Sequence, residues 1–328
     1  MAKKESGNCL IARRSVRFYC LVVVGFLIFS FLATMLLYLF FLRFDALLIM
    51  RKDVFILIMG IAVYLLAFYT VYKFYKNVPV IKIDNNSISF YRKTFLLSDI
   101  DHIDFTGKRN FTYLFFFGDF MEAATLKFKD GQTKYIFDEM YANAWEIKSF
   151  LQQTVIDKKE FAEPKMLPKV MPADLDVEFY DTYNGNQITS YRGIMLWGMV
   201  VFFVYIVIEK PSVGGGIVAL ISWLFLFAGF SWGMNYFMVS QNYLVIKNQN
   251  FFWLKRAYRI SDIKEIVFET QYRAPNALRV ITKDFRSKFY YASTLRDKTW
   301  LELKSQLESL GLTVRNECIP ERKTRETY

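Results

Sequence analysis

Four long apolar segments interrupt the chain, and each pair of them is followed by a region where apolar and polar residues alternate. The charge-free runs cover residues 18–42, 54–72 and 193–208, and a fourth lies within 217–237. A helix needs about 20 apolar residues to cross a hydrocarbon core of about 30 Å. The pattern therefore predicts four membrane-spanning helices in two hairpins. The third run is near the lower length limit, so a buried or re-entrant helix stays open as its alternative.

The alternating regions predict short strands joined by tight turns. Asn85-Asn86 and Asp130-Gly131 are strong turn sequences between such strands. The strand pairs that the pattern predicts are 80–84 with 87–91, 125–129 with 133–137, 243–247 with 251–258, and 278–282 with 288–291.

An amphipathic helix is predicted after each set of strands. The first should begin near Asp138, which is a suitable N-cap. The second should begin around Thr294, with Asp297 completing a capping box and Gly311 just beyond the helix end.

The same order of segments occurs twice. Residues 97–105 read Leu-Ser-Asp-Ile-Asp-His-Ile-Asp-Phe and residues 260–268 read Ile-Ser-Asp-Ile-Lys-Glu-Ile-Val-Phe, so five of nine positions are identical. A second match follows at Trp145 and Trp300, which should both anchor their helices on the strands. A recurrence in fixed order over more than a hundred residues predicts a duplicated unit, a helical hairpin followed by a small β-rich domain.

This duplication and the shifts in composition predict the domain boundaries. Three prolines among charged residues give the region between the two copies the composition of a linker. The predicted segments are a basic cytoplasmic N-terminus 1–17, a transmembrane hairpin 18–76, a first β-rich domain 77–155, a linker 156–190, a second transmembrane hairpin 191–238, a second β-rich domain 239–312 and a mobile tail 313–328.

Several strands followed by one amphipathic helix resemble the pleckstrin-homology (PH) fold. Together with the membrane hairpin and the Ser-Asp-Ile-x-x-Ile segment, the chain resembles bacterial PH-like membrane proteins over 54–153 and 213–312. The resemblance implies an α+β membrane protein with two repeats. Each repeat would be a transmembrane helical hairpin followed by a PH-like split β-barrel closed by a C-terminal helix. It implies a fold far more than a function.

Basic residues flank the predicted spans unequally. Lys3, Lys4, Arg13, Arg14 and Arg17 precede the first span, whereas the loop between the third and fourth spans contributes one lysine. The positive-inside rule therefore places the N-terminus and both β-rich domains in the cytoplasm of a bacterial inner membrane. The first apolar run is too long for a signal peptide and no cleavage site follows it, so we expect a retained anchor.

The chain offers little for catalysis. His102 is its one histidine, and the three cysteines lack metal or redox spacing. No phosphate-binding loop or nucleophile-elbow motif occurs, and Asp99 and Asp262 fit turns better than a carboxylate pair. Ionisable residues are also missing from the interior of the spans, which argues against transport. We expect no enzyme activity, no catalytic residue, no metal and no cofactor.

Charge is distributed unevenly between the two β-rich regions. Residues 73–175 contain 15 basic and 14 acidic residues, whereas 239–328 contain 17 basic and 10 acidic residues. In the second region, aromatic and basic residues adjoin in a segment suited to lipid headgroups. The candidate lipid-binding residues are Phe252, Trp253, Lys255, Arg256 and Arg259. The alternative is an ordinary strand with a buried aromatic face.

The sequence favours a non-enzymatic, multi-span membrane protein. Its two cytoplasmic PH-like domains would bind or scaffold a protein partner or anionic lipid headgroups. The expected partners are the lipid bilayer, anionic headgroups and an unidentified protein, and not nucleic acid. The alternative is an immunity or protective protein that neutralises a membrane-active toxin, suggested by a small multi-span architecture without catalytic residues.

Overall fold

The computed structural model describes residues 9–43, 51–114, 118–160, 178–209, 212–271 and 274–320, with a few isolated residues between 161 and 177. Within these residues the chain is α+β and divides into two compact units, 1–164 and 165–328. The α-helices are α1 (Val16–Arg43), α2 (Arg51–Asn77), α3 (Ala144–Leu151), α4 (Tyr191–Glu209), α5 (Val213–Trp232) and α6 (Asp297–Ser309).

The strands are short, and each unit contains eight of them among the described residues. Those of the first unit are β1 (Leu10–Ile11), β2 (Ile81–Ile83), β3 (Ser87–Phe90), β4 (Lys93–Leu96), β5 (Ile100–Asp104), β6 (Lys108–Thr112), β7 (Gly118–Phe128) and β8 (Thr133–Phe137). Those of the second unit are β9 (Asp181–Tyr183), β10 (Asn235–Val239), β11 (Tyr243–Asn248), β12 (Lys255–Arg259), β13 (Ile263–Thr270), β14 (Asn276–Thr282), β15 (Ser287–Tyr291) and β16 (Val314–Asn316).

Helices α1, α2, α4 and α5 are each long and apolar enough to cross a membrane. Between 6% and 17% of the most apolar window of each helix is buried inside the protein. Their remaining apolar side chains face outward, and such surfaces are stable in lipid rather than in water. Helix α4 continues for 19 residues and is also mostly exposed, so the third apolar run does not form a buried helix.

Small residues let α1 and α2 pack closely. An added Cβ at Gly60 would lie 2.8 Å from Leu37 Cδ2, so a larger residue would force the Leu37 side chain to move. Ala33 is fully buried in the same hairpin. The Thr34 hydroxyl lies 2.6 Å from the Tyr64 hydroxyl and joins the two helices by a hydrogen bond. Small side chains and interhelical hydrogen bonds are the usual means of holding membrane helices together.

Two antiparallel sheets form the β-rich part of the first unit. Their strand orders are β1-β2-β3-β4 and β5-β7-β6, and β8 also pairs with β7. The predicted hairpin around Asn85-Asn86 is present, with Ile83 opposite Ile88. The predicted turn at Gly131 is present too, and Gly131 has a φ of +81° that glycine adopts at little cost.

One hydrophobic core joins the helical hairpin to the sheets in the first unit. It includes Phe18 from α1, Phe74 from α2 and Phe111 from β6. The Phe74 ring centroid is 5.3 Å from that of Phe111 and 6.2 Å from that of Phe18. Helix α3 adds the fully buried Ile147 and Phe150 to this core. The ends of α1 and α2 are therefore held against the sheets by packed aromatic rings.

The second unit also contains two sheets, in the strand orders β9-β10-β11-β12 and β15-β14-β13-β16. Helix α6 contributes Trp300, Leu303 and Leu307 to the core between the strands. The Trp300 ring centroid lies 4.8 Å from that of Phe268 and 5.6 Å from that of Phe237. This indole is the largest fully buried side chain of the unit and organises its core.

Both amphipathic helices begin later than predicted. Helix α3 begins six residues after Asp138, whose carboxylate lies 2.5 Å from the buried Lys148 ammonium and does not cap the helix. Helix α6 begins at Asp297, three residues after Thr294, which lies buried in the preceding turn. The helix end agrees with the prediction, since Gly311 follows the last turn with a φ of +79°.

The predicted second hairpin 191–238 extends too far, because α5 ends at Trp232 and β10 begins at Asn235. Three further segments predicted to lie outside the β-rich domains contain strands. The N-terminal segment 1–17 includes β1, which pairs with β2. The linker 156–190 includes β9, which pairs with β10. The segment 313–328, predicted to be mobile, begins with β16, which pairs in parallel with β13, while 321–328 lie outside the described residues. These strands have only two or three residues, which is too short for alternation to reveal them.

The two tryptophans predicted to be equivalent differ in burial. Trp300 has no exposed surface, whereas Trp145 is only half-buried at the start of α3. Phe150, one turn and a half further along, takes the fully buried aromatic position in the first unit. Trp145 is therefore less buried than Trp300, and the expectation that it anchors its helix on the strands stays a prediction.

This difference predicts unequal effects of truncation. Trp300→Ala should reduce the free energy of unfolding of the second unit by about 3–5 kcal/mol, because it removes a fully buried ring and leaves a cavity. Trp145→Ala is the matched control and should cost clearly less. Thermal unfolding of the full chain in detergent, followed by circular dichroism, measures both. Equal losses in the two variants would contradict this assignment of the core.

Candidate membrane-surface sites

The candidate aromatic residues of the second unit lie in the turn between β11 and β12. Phe252 and Trp253 are 82% and 64% exposed. The turn itself is well held, because the Asn248 side-chain oxygen accepts hydrogen bonds from the backbone N–H groups of Asn250 and Phe251, at 3.0 and 2.9 Å. The segment is thus an ordered turn that exposes two large rings, not the strand with a buried aromatic face that was the alternative.

Polar and aromatic contacts fix this turn beside the end of α5. The Asn248 amide donates to the Ser231 carbonyl at 2.9 Å, and the Asn250 amide donates to the Ser231 hydroxyl at 2.6 Å. The Phe251 ring lies 6.3 Å from the ring of Phe227 in α5. Phe227 is five residues before the end of α5, or about 7–8 Å along the helix axis. The turn therefore lies at the level of the last two turns of an apolar helix.

The three candidate basic residues do not form one patch. Strand β12 pairs with β11 so that Lys255 is opposite Lys247 and Arg259 is opposite Tyr243. Because neighbouring residues of a strand point to opposite faces, Arg256 lies on the other face from Lys255 and Arg259. Arg259 is also four residues further along the strand, roughly 13 Å away from the turn. Only Lys255 and Arg256 adjoin the exposed rings.

Arg256 lies on the same face as a partly buried pair of tyrosines. The hydroxyl groups of Tyr258 and Tyr290 are 2.6 Å apart. Burial raises the pKa of both hydroxyls, while the charge of Arg256 acts in the opposite direction. Both tyrosines are therefore neutral at physiological pH. Within the described residues, neither Lys255 nor Arg256 forms an ion pair with a carboxylate, so their charges are available to an anion.

A second site lies in the first unit, where the end of α2 meets the sheets. It is a cleft with a volume of about 910 Å³. Its walls come from the last turns of α2, the turn between β3 and β4, strand β6 and strand β8. Its charged lining residues are Arg14, Lys73, Lys76, Arg92, Lys93 and Lys134, and the described lining contains no Asp or Glu.

Aromatic residues accompany the cations of this cleft. The Arg92 guanidinium lies 5.3 Å from the ring centroid of Tyr91, and the Lys134 ammonium lies 5.6 Å from that of Phe95. None of the six cations pairs with a carboxylate in the part of the chain that the structure describes. The cleft is thus a concave basic surface with ring edges around it, at the end of a membrane helix.

Sequence reasoning missed this cleft. Residues 73–175 are almost neutral overall, so their net charge gave no sign of the five cations that they contribute to the cleft, which Arg14 joins from the N-terminal segment. Two signals could have indicated it. Lys73 and Lys76 are three residues apart and share one face at the end of a predicted span, and Arg92-Lys93 directly follow a predicted strand.

The remaining chemistry is sparse. Within the described residues, no group of three His, Cys, Asp or Glu side chains is placed to hold a metal ion. The exposed His102 ring lies 2.7 Å from the Asp104 carboxylate through its Nε2 atom. Asp99 and Asp262 end short 3₁₀ turns that connect the two sheets of their units, as expected for turn residues.

Comparison of the chain with known protein families gives no match, and comparison with curated proteins gives none either. The PH-like resemblance therefore depends on the order of apolar and polar positions and on the order of elements. The duplication likewise stays a prediction, although each unit contains two sheets and one helix that packs on them.

The position of the β11–β12 turn predicts that Trp253 lies in the interfacial region of the bilayer. A cysteine-reactive polarity-sensitive dye at Trp253→Cys, with the native cysteines replaced by serine, should shift its emission to the blue when the full chain is reconstituted into lipid. The same dye at Lys298→Cys, an exposed position on α6, is the control and should report water. Identical water-like spectra at both positions would contradict the interfacial placement.

Proposed function

We propose that this is a non-enzymatic membrane protein whose β-rich domains lie on the cytoplasmic membrane surface and bind anionic lipid headgroups. The observation that carries the proposal is the ordered β11–β12 turn, which exposes Phe252 and Trp253 beside the end of α5 with Lys255 and Arg256 adjoining. Aromatic rings favour the headgroup region, and basic side chains there attract lipid phosphates.

The four apolar helices support the membrane location, and the element order supports the PH-like interpretation. In each unit a helical hairpin follows one short edge strand and precedes the other strands of two small sheets and one amphipathic helix. We therefore assign both units to PH-like domains, each linked to its own hairpin. The bias of basic residues towards the N-terminus supports a bacterial inner-membrane protein with both domains in the cytoplasm.

The lipid role is favoured over the other functions that the sequence leaves open. A short connection keeps each domain beside the bilayer, which raises the concentration of headgroups that its surface meets. No observation on the described residues favours neutralisation of a toxin, and we do not propose it.

The lipid role predicts a specific loss on charge reversal. Full-length protein in a neutral detergent should retain phosphatidylglycerol in preference to phosphatidylcholine, as measured by mass spectrometry of co-purified lipids, and high salt should weaken the preference. Lys255→Glu/Arg256→Glu should reduce it, because each basic residue contributes about 1 kcal/mol at an anionic surface.

The matched control for this pair is Lys283→Glu/Lys288→Glu. It makes the same change in net charge at exposed positions towards the far end of the β14–β15 hairpin from α5. The control should keep the wild-type preference. A uniform loss in both variants would mean that only overall charge matters and would overturn the assignment to this turn.

Orientation can be tested by cysteine labelling in whole cells. Asn86 and Lys298 are exposed in the first and second units, and Gly214 at the α4–α5 connection has open space for a side chain. Cysteines at Asn86 and Lys298 should react only after the membrane is made permeable, whereas a cysteine at Gly214 should react from outside. Asn248, which ends strand β11 in the second unit, is unsuitable as a labelling position because it is buried. Labelling of the Lys298→Cys variant from outside intact cells would contradict the proposed topology.

A further inference from the structure

We infer that the basic cleft of the first unit is a binding site for the phosphate-bearing headgroup of an anionic phospholipid. The inference rests on the proposed lipid function for the class of ligand, but it places a binding site in a different unit and on different residues. It concerns a concave site that encloses one headgroup, whereas the β11–β12 turn is an exposed surface.

The floor of the cleft is the end of a membrane helix. Lys73 and Lys76 occupy the last turn and a half of α2, and they are three residues apart, so they share one side of the helix. Tyr72 and Tyr75 lie beside them in the lining. Tyrosine and lysine at the end of a span are the side chains that occupy the headgroup layer. A ligand in this cleft therefore meets the protein at the depth of lipid phosphates.

The opposite wall comes from the β3–β4 hairpin. Lys93 is paired with Phe90, which is paired in turn with Ile81, so these three residues share the face of the sheet that looks into the domain. Lys82 and Ser89 occupy the other face. Because β4 is the outer strand of this sheet, Lys93 can point into the cleft at its mouth while its neighbours Phe90 and Ile81 are buried.

The turn that presents Arg92 has a strained backbone. Tyr91 has a φ of +58° and a ring that is 69% exposed. A left-handed conformation is unusual for a bulky residue, and glycine would adopt it at lower cost. Its backbone N–H is fixed by a 2.9 Å hydrogen bond to the Val80 carbonyl. The fold thus keeps an aromatic ring at the mouth of the cleft instead of the residue that the turn conformation prefers.

Charge makes the cleft selective for anions. Six cations line it and the described lining has no carboxylate to neutralise them. Arg14 is held in place by two hydrogen bonds from its guanidinium to the Val78 carbonyl, at 3.1 and 3.0 Å, and by the Tyr75 ring 4.6 Å away. The Arg14 guanidinium is therefore a fixed group at the base of the cleft, whereas the lysine side chains around it can change conformation. Like charges that converge in this way repel one another until an anion occupies the space between them.

Size and location identify the source of the phosphate. A volume of about 910 Å³ is within the range of about 300–1,000 Å³ that small-molecule sites occupy. A free phosphate ion would leave most of this space empty. A lipid headgroup would fill more of it, and its acyl chains could pass along the apolar surface of α2 next to the cleft.

The experiment uses the full chain in neutral detergent, titrated with short-chain phosphatidylglycerol or phosphatidylcholine and followed by native mass spectrometry. Wild-type protein should bind phosphatidylglycerol selectively. Arg92→Glu/Lys93→Glu should weaken this binding by about tenfold or more, as expected for the loss of two basic contacts with an anionic headgroup. Lys82→Glu/Lys159→Glu is the matched control, since both residues are exposed and neither lines the cleft. It should bind like the wild type.

Additional variants and a competition with phosphate distinguish lipid binding in the cleft from misfolding, from binding at the turn and from binding of free phosphate. Arg92→Gln/Lys93→Gln should show an intermediate loss with unchanged thermal unfolding, which separates lost contacts from misfolding. In the Lys255→Glu/Arg256→Glu background, which removes the contribution of the turn, the titration should still show selective binding that the added Arg92→Glu/Lys93→Glu change removes, so failure of the turn and failure of the cleft are distinguishable. Inorganic phosphate at matched ionic strength should not displace the lipid. Displacement by phosphate, or equal binding by the Arg92→Glu/Lys93→Glu variant and wild type, would overturn the assignment.

Discussion

The packing of Phe74 between the membrane hairpin and the sheets determines the geometry of the first unit. This residue lies in the last turn of α2, yet its ring packs against Phe111 of β6 and stacks with Tyr113 at 5.9 Å. A helix that crosses lipid must keep its end at the membrane surface, because its apolar length is fixed. The shared core therefore fixes the position of the sheets relative to the membrane surface. The basic cleft exists because this junction places Lys73 and Lys76 opposite a strand hairpin.

The second unit is joined to its helices by different chemistry. Its hydrophobic core includes no residue of α4 or α5 among those described. Amides make most of the connection, from Asn248 and Asn250 to Ser231 at the end of α5, beside the contact between the Phe251 and Phe227 rings. Buried amides need partners with defined geometry, so these bonds fix an orientation as well as a contact. They leave the large rings of the β11–β12 turn free to face outward, whereas the first unit uses its aromatic residues in the junction.

The sequence was sufficient where the periodicity is strong and long. Four apolar runs and the turn signals at Asn85-Asn86 and Gly131 predicted the helices and hairpins that the structure contains, because these features depend on local backbone preferences and on solvent. Prediction from the sequence failed where contacts between distant residues determine the start of a helix or the formation of a strand. The prediction of a helix start at Asp138 was wrong because Lys148, ten residues later, pairs with its carboxylate. Strands of two or three residues, such as β1 and β16, form only because a sheet edge is already there to pair with.

The two sites differ in predictability for the same reason. The β11–β12 turn could be predicted from the sequence because its aromatic and basic residues are neighbours in the chain. The structure exposes Phe252 and Trp253 in that segment. The cleft is assembled from Arg14, Lys76, Lys93 and Lys134, which are separated by up to 120 residues. Net charge per region could not reveal it, because the acidic residues that the structure describes in that region do not line the cleft. Electrostatic recognition depends on where charges converge and on which charges are absent from the same space. A nearly neutral domain can therefore present a more strongly basic cavity than a domain with an excess of lysine and arginine spread over its strands.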